Sequence, residues 1–208
     1  MLSPDKVSIQ TVGKVYAGRA SSAPVVDLFI TLLSMGLNGY RRLLTDRKER
    51  LGPFRERLGD IANKYGELLL ECPTNTISLG ITLNKLARPQ MDDETEEQYL
   101  QSVGEDISYF GAMLFSRCVS GTRVVPRGQT KTMGGQEFVG FGSSTDNFPH
   151  AYMTAACAIG LSQEEIDDFF VKLDRGFQEF KTKQAKKMVM MMKENEKKKK
   201  KEEDDVDG

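Results

Sequence analysis

The sequence of 208 residues has no tryptophan, one histidine and three cysteines, and these shortages exclude several kinds of site. Cys72, Cys118 and Cys157 lie far apart with no CxxC pair, and His150 has no second histidine to share a metal with. We therefore expect neither a zinc site nor a disulfide framework. The expected state of the cysteines is that of reduced structural thiols in a cytosolic protein.

The chain also lacks an excess of charge of either sign. Its 29 lysines and arginines against 30 aspartates and glutamates leave a net charge of −1, so any RNA contact must come from a local patch. No continuous apolar run approaches the roughly 20 residues of a membrane span, and Met1 is not followed by the regions of a secretory signal. We expect a cytoplasmic protein with neither a membrane nor DNA as partner.

What the sequence contains is enough apolar residues, 39%, for a core, arranged in helical and strand patterns. A capping box, Ser162 with Glu165, precedes the last helix, whose apolar face includes Phe169, Phe170 and Phe177. Helices are predicted over 3–15, from 25 onward, over 92–115, over 149–159 and from 163 onward, and the second of them is expected to be interrupted at Gly52-Pro53. Strands are predicted over 77–83, 122–126 and 137–141. This mixture predicts an α/β fold.

Two places carry patterns suited to anions. Gly18-Arg19-Ala20-Ser21-Ser22 combines an arginine fork, two hydroxyls and a helix start, which favours a phosphate or carboxylate. An ordinary capped loop with a solvated arginine explains the same residues. Arg117 and Arg123 flank a turn between a helix and a strand, where an arginine can contact a base edge or a phosphate. The alternative for Arg117 is an arginine that complements the helix dipole.

Other basic stretches favour simpler interpretations. The arginines between Arg41 and Arg57 alternate with acidic residues and predict a solvated helix face. The lysine run 197–201 is followed by acidic residues that nearly cancel its field. This last segment cannot bury a core, so we expect it to be disordered or a frayed helix. Walker, nucleophile-elbow and dinucleotide motifs are absent from the sequence.

Whole strings of the sequence resemble the O-phosphoseryl-tRNA(Sec) selenium transferase family. They include Tyr16-Ala17-Gly18-Arg19-Ala20-Ser21-Ser22-Ala23-Pro24, the segment Phe115-Ser116-Arg117-Cys118-Val119-Ser120-Gly121-Thr122-Arg123-Val124-Val125-Pro126, and Asp146-Asn147-Phe148-Pro149-His150-Ala151-Tyr152. They stand in the family's order from about Asp5 to about Phe180. The resemblance implies the last two-fifths or so of the family's length.

That resemblance implies a fold and an activity. The fold is the carboxy-terminal portion of a fold-type I pyridoxal-phosphate-dependent transferase, similar to aspartate aminotransferase. Residues 1–66 would end the large domain and supply connecting helices, 67–183 would form the small α+β domain, and 184–208 a charged, disordered tail. The implied reaction replaces the phosphate of O-phosphoseryl-tRNA(Sec) with selenium from selenophosphate, giving selenocysteinyl-tRNA(Sec), in a homotetramer.

The resemblance also assigns residues. Arg19 matches the arginine that binds the phosphate of phosphoserine, and a fixed guanidinium fork suits that dianion. Arg117 matches the arginine that contacts the discriminator base at the acceptor end of tRNA(Sec). The family's late basic contact to tRNA falls at Thr182, so Lys181 and Lys183 on either side are the candidates for it.

The family's Schiff-base lysine has no counterpart in this sequence, because the motif that carries it lies upstream of the matched region. Lys6 and Lys14 stand in or near the first predicted helix, without the strand context that would bury and activate an amine. We therefore expect a catalytically incomplete piece of the enzyme, whose cofactor lysine is supplied elsewhere. The alternatives are a noncatalytic tRNA-binding or oligomer-assembly module derived from the enzyme, and a general helical interaction protein.

Overall fold

The computed structural model describes residues 10–11, 13–14, 21–92, 94–143 and 145–206, with side chains as far as residue 193. By its internal contacts the chain divides into two units, 1–45 and 46–208. The elements are α1 (Ala23–Tyr65), β1 (Leu69–Leu70), β2 (Ser78–Thr82), α2 (Glu96–Ser116), β3 (Arg123–Val125), β4 (Thr130–Met133), β5 (Gln136–Val139), β6 (Tyr152–Ala156) and α3 (Gln163–Val206). This mixture of helix and sheet confirms the α/β class.

A four-stranded antiparallel sheet lies at the centre of unit 46–208, in the order β1-β2-β6-β3. Strands β4 and β5 form a separate antiparallel ribbon, joined by a turn at Gly134-Gly135 where both glycines have positive φ. The strands predicted over 77–83 and 122–126 are confirmed as β2 and β3. The one predicted over 137–141 begins one residue earlier and ends at Val139.

The predicted helix over 149–159 is wrong, because this segment contains β6, one of the two central strands of the sheet. Its small residues suggested a compact helix. In the structure they alternate: Met153 and Ala155 are buried, whereas Tyr152 and Thr154 are partly exposed. Pairing with β2 on one side and β3 on the other overrides the weak local preference of alanine for helix.

The core lies where α2, α3 and the last turns of α1 pack together against the sheet. Its centre is aromatic. Phe177 stacks on Tyr65 with ring centroids 4.6 Å apart and meets the edge of Phe110 at 5.0 Å. Phe110 also contacts Phe180. These contacts fix the angle at which α3 crosses α2, which sets the position of every side chain between the two helices.

A buried carboxylate, Glu67, and a buried arginine, Arg88, stabilise the connections around this core. Glu67, only 2% exposed, accepts hydrogen bonds from the hydroxyl of Thr82 at 2.6 Å and from three backbone N–H groups of residues 84–86. Arg88 is also buried, and its guanidinium donates to both carboxylate oxygens of Glu94 at 2.8 and 2.5 Å. Both acids therefore replace water for groups that folding removes from solvent.

Helix α1 passes Pro53 without ending, so the predicted interruption there is wrong. Proline in a helix interior removes one backbone hydrogen bond and costs about 3 kcal/mol. The residues that follow it, Phe54, Leu58 and Ala62, are all buried in the core. Burial of this face offsets the cost of the proline, which sequence spacing alone does not reveal.

In residues 23–45, by contrast, most apolar side chains of α1 are exposed, Leu33 by 66% and Phe29 by 62%. Gly36 has non-helical angles, φ 63° and ψ 174°, which place a kink in α1 at this glycine. By length and composition alone, α1 is apolar enough to cross a membrane. The same properties describe a helix that packs on another protein surface, so they assign no membrane location by themselves.

The last helix begins at the predicted capping box. Ser162 Oγ accepts from the backbone N–H of Glu165, and the Glu165 carboxylate accepts from the backbone N–H of Ser162. These hydrogen bonds, the backbone one first, lower the pKa of Glu165. The helix continues through 184–206, where composition predicted a disordered tail or a frayed helix. The proposed boundaries at 66 and 183 stay a prediction.

Candidate functional site

The candidate site lies along the seam between α2 and α3, two antiparallel helices. Three polar contacts cross the seam at four-residue intervals along α3: Arg117 with Glu179, Tyr109 with Lys183, and Asp106 with Lys187. Positions four apart share one helix face, so this row of α3 follows the edge of α2 from its end toward its middle. Two of the predicted tRNA-binding residues, Arg117 at the end of α2 and Lys183 on α3, take part in these contacts.

Arg117 is the residue at which α2 ends. Its guanidinium donates to the carbonyl of Met113 at 2.9 Å and to the carboxylate of Glu179, and its side chain is 27% exposed. The contact with the last turn of the helix is the dipole-complementing role that the sequence left open. An arginine has more N–H groups than these two bonds use, so a fixed fork with unused donors faces solvent. Such a group is suited to a base edge or a phosphate.

The side chains of Lys183 and Lys181 contact different parts of the protein. The Lys183 ammonium donates to the hydroxyl of Tyr109 at 3.1 Å and lies 5.2 Å from the centre of its ring. The Lys181 ammonium instead lies 5.5 Å from the ring of Tyr65, on another face of α3. The structure therefore brings Lys183 together with Arg117 on the seam and does not bring Lys181 there.

Around Lys181 the charges are already compensated. Asp174 accepts from Lys64 at 2.6 Å and from the Tyr65 hydroxyl at 2.7 Å. Burial alone would raise the pKa of Asp174, but these two hydrogen bonds outweigh it and hold the pKa below its ordinary value. For Tyr65, burial and then the bond to Asp174 raise the pKa. This group is a tertiary contact between α1 and α3.

The loop after Arg117 turns the chain from α2 into β3 and forms one wall of a cleft of about 380 Å³. Val119 is buried, and its backbone N–H bonds back to Leu114, while Cys118 adopts a positive φ of 60°. The opposite side of the cleft carries Phe169 and the ion pair of Lys172 with Asp168. A cleft that mixes apolar and charged side chains, with its wall starting one residue after Arg117, has the character of a small-ligand or nucleobase pocket.

Arg19, the predicted phosphate-binding residue, lies outside the described residues, and its role stays a prediction. Most arginines predicted to form a solvated face of α1 are instead engaged in contacts within unit 46–208. Arg47 is buried and donates to the carbonyl of Thr76, and Arg50 donates to that of Leu161. Arg55 pairs with Glu71 and Arg57 with Asp167. These arginines stabilise the fold and do not form an open RNA surface.

The lysines with described side chains do not fit a Schiff-base role. Such an amine must be buried so that its pKa falls and it becomes a nucleophile. None of the lysines among residues 14–193 whose side chains are described is buried. Where a shift is resolved it has the opposite direction: a hydrogen bond to Asp174 raises the pKa of Lys64, and one to Asp168 raises that of Lys172. The described lysines thus lack the burial and the lowered pKa that a Schiff-base amine requires.

Sequence reasoning missed the partners that fix the predicted residues. Glu179 is 62 positions from Arg117, and Tyr109 is 74 positions from Lys183. Glu179 and Tyr109 are both about half exposed, so no apolar pattern in the sequence marks these pairs.

Comparisons with known proteins decide the family. A family model described as "SepSecS: O-phosphoseryl-tRNA(Sec) selenium transferase" matches residues 1–178. The chain belongs to this family. Relatives named O-phosphoseryl-tRNA(Sec) selenium transferase include one from Dictyostelium discoideum, 38% identical over 179 residues, and one from Caenorhabditis briggsae, 33% identical over 180 residues. The alignments cover 85% and 86% of this chain.

A solved structure of the family also resembles the fold. The crystal structure of an archaeal O-phosphoseryl-tRNA(Sec) selenium transferase matches with a TM-score of 0.53 and 26% identity over 83% of this chain. The matches cover only 37% and 34% of the two relatives and 33% of the archaeal chain. The chain thus spans about a third of the length of the family members it matches.

Proposed function

We propose that this chain is the carboxy-terminal part of an O-phosphoseryl-tRNA(Sec) selenium transferase and supplies the part that reads the tRNA end. The complete enzyme would convert O-phosphoseryl-tRNA(Sec) to selenocysteinyl-tRNA(Sec) with selenophosphate, in the cytoplasm and as a homotetramer. The observation that carries the proposal is the family match over residues 1–178.

Arg117 has the clearest role in this proposal. Its fork is oriented by Met113 and Glu179, and preorganised donors lose less entropy when they bind a base edge. Lys183, on the same seam, would contact a backbone phosphate close to that base. Arg19 would bind the phosphate of the phosphoseryl group, where its charge stabilises the departing dianion.

Pyridoxal phosphate would belong to the complete enzyme, with its lysine in a part of the protein that this chain does not contain. When bound, the cofactor supplies an electron sink for elimination at the seryl carbon. No lysine among the described residues offers the buried, low-pKa amine that this chemistry needs. The contribution of the chain would accordingly be binding and orientation of the tRNA end.

A chimera tests the proposal. The aligned segment of the Dictyostelium discoideum relative, 37% of its length, is replaced by the matching residues of this chain. Conversion of O-phosphoseryl-tRNA(Sec) is then measured with selenophosphate. We expect activity in the parent chimera, a severe loss of turnover for Arg19→Ala, and a weakened preference for the discriminator base for Arg117→Ala.

Two outcomes would contradict these roles separately. Normal turnover of the Arg19→Ala chimera would remove the phosphate assignment. An unchanged preference among tRNA ends that differ only in the discriminator base would remove the assignment of Arg117. Glu97→Gln is a matched control, because Glu97 is exposed on the opposite end of α2 from Arg117.

A second candidate function is a noncatalytic tRNA-binding or assembly module that docks on other subunits. The exposed apolar side chains of residues 25–40, including Phe29 and Leu33, favour it, since large exposed apolar patches mark protein contacts. Selective binding of tRNA(Sec) by this chain, combined with an inactive chimera, would favour this second function.

A further inference from the structure

A second basic pocket lies away from the Arg117 seam, between α2, β3 and the β4-β5 ribbon. It measures about 200 Å³, and its wall includes Arg123, Lys131, Ser108, Gln129, Phe141 and Gly142. Two cations, an aromatic ring and several polar groups line it, and no carboxylate does. A pocket of this composition attracts an anion.

Arg123 is set apart from most arginines in the same unit. Among described residues 46–193, every arginine except Arg123 and Arg175 donates a hydrogen bond to a carboxylate or a backbone carbonyl. Arg123 is exposed and lies on β3, an edge strand of the sheet. Its guanidinium is therefore free to bind a group from outside the chain.

Lys131 is similarly uncompensated. Its ammonium lies 4.7 Å from the centre of the Phe141 ring, and no carboxylate of the described residues pairs with it. The ribbon does contain one acid, Glu137, but Glu137 is paired with Thr132, the residue after Lys131. Since successive residues of a strand point to opposite faces, Glu137 lies on the other face of the ribbon.

The pocket is held in place by close packing. Phe141 donates its backbone N–H to Gln129, whose side chain in turn donates to the carbonyl of Leu100 on α2. Gly142 has a φ of 92°, and a Cβ there would lie 3.8 Å from the Arg123 guanidinium. The next residue, Ser143, has a buried side-chain oxygen without a hydrogen-bond partner among the described residues. The loop therefore approaches the Arg123 guanidinium closely. It also carries the Ser143 hydroxyl, whose hydrogen-bonding capacity is unused among the described residues.

We propose that Arg123 and Lys131 bind a backbone phosphate of RNA, as a contact that adds to the one at Arg117. The volume favours this ligand over a free metabolite, because pockets that enclose small molecules measure about 300–1,000 Å³. Exposed arginine and lysine side chains commonly hold the phosphodiester backbone as it crosses a protein surface. The inference rests on the proposed function for the identity of the RNA, a tRNA end.

The test measures RNA binding by the 208-residue chain. The probe is a fluorescein-labelled RNA hairpin that carries the acceptor stem of tRNA(Sec) and its unpaired 3′ end, and anisotropy is recorded over a series of KCl concentrations. We expect Arg123→Gln with Lys131→Gln to weaken binding about tenfold and to reduce the slope of log K against log salt by about 2.

The charge-matched control is Lys48→Gln with Arg175→Gln, because both side chains are exposed and neither pairs with a carboxylate in the described residues. We expect this control to bind within about twofold of the parent, since phosphate contacts act over a Debye length of about 10 Å. An equal loss in both double variants would overturn the proposal, as would an unchanged affinity of the first, or no binding by the parent at low salt. Thermal unfolding of each variant shows that it is folded.

A second pair of hairpins separates this proposal from the proposed function. A phosphate contact carries no sequence information, so Arg123→Gln with Lys131→Gln should weaken hairpins with different discriminator bases by the same factor. A loss confined to one discriminator base would overturn the phosphate contact. If the parent bound an unrelated hairpin as tightly as the tRNA(Sec) hairpin, the phosphate contact would stand and the proposed function would fail.

Discussion

Residues 23–45 and residues 46–193 use apolar side chains in opposite ways. In the first region Leu33 is 66% exposed, whereas in the second Phe177 is 0% exposed and lies between Tyr65 and Phe110. Both regions are helical in large part, and both contain leucines at helical spacing. The difference teaches that helix pattern alone does not show where this chain gains its stability.

The second region also holds polar groups that the first lacks. Glu67 and Glu94 are carboxylates that bind buried donors, and Arg117 and Lys183 extend this pattern along the α2-α3 seam. We infer that residues 46–193 contain the stability of the chain and present the side chains proposed to bind tRNA on a packed core. Residues 23–45 offer an apolar surface that needs a partner to become buried.

The largest expected effect is the truncation of a core aromatic. Phe177→Ala should lower the free energy of unfolding by about 3–5 kcal/mol, because it removes a ring from a packed core and leaves a cavity. Leu33→Ala is the matched change in the exposed region and should leave the unfolding midpoint almost unchanged. Urea unfolding measures both. Equal losses of unfolding free energy in the two variants would contradict the contrast between the buried and the exposed region.

A smaller effect is expected at the buried ion pair. Glu94→Gln leaves the buried Arg88 without its counter-charge and should cost about 3 kcal/mol at neutral pH. The hydrogen bond from Arg88 lowers the pKa of Glu94, so the folded state holds the proton less tightly than the unfolded state. The stabilisation is therefore complete above the ordinary value of 4.5 and is lost as the pH falls through the lower folded value.

The prediction for Glu94→Gln is checked by the pH dependence of the free energy of unfolding. Urea unfolding between neutral pH and mild acid should show a flatter profile for Glu94→Gln than for the parent chain. Glu97→Gln, which changes an exposed glutamate in the first turn of α2, should reproduce the parent profile. A parent-like slope in Glu94→Gln would show that the Arg88 pair does not contribute to acid sensitivity.

The smallest expected effect on stability is at the functional seam. Arg117→Ala removes a partly exposed ion pair with Glu179, and such pairs contribute about 0–1 kcal/mol. Thermal unfolding should therefore change little, while RNA binding by the same variant falls. A loss of stability as large as that of Phe177→Ala would show that Arg117 is a structural residue, and would count against its role at the tRNA end.

The sequence predicts those elements that local rules determine. Ser162 with Glu165 starts α3, acidic residues precede α2, and the alternating residues of β2 form a strand. The helix predicted over 149–159 is wrong because β6 owes its conformation to two neighbouring strands that lie far away in the sequence. Local preference carries no information about such pairing.

In the candidate site, too, some features are determined by local sequence and others by tertiary packing. The residues around Arg117 carry the resemblance that points to this arginine from the sequence alone, and the family match agrees with that resemblance. Glu179, which orients the fork, and the face of the ribbon that separates Lys131 from Glu137 depend on tertiary packing and strand register. Neither is encoded in a short motif, so sequence reasoning alone does not find them.

The most direct test of the account is reductive trapping of pyridoxal phosphate on the purified chain. The chain is mixed with the cofactor, reduced with borohydride and analysed by mass spectrometry for a lysine adduct. We predict no specific stoichiometric adduct, because no lysine among the described side chains is a buried amine. A single lysine modified in a one-to-one ratio would contradict the account and would make this chain a cofactor-binding enzyme in its own right.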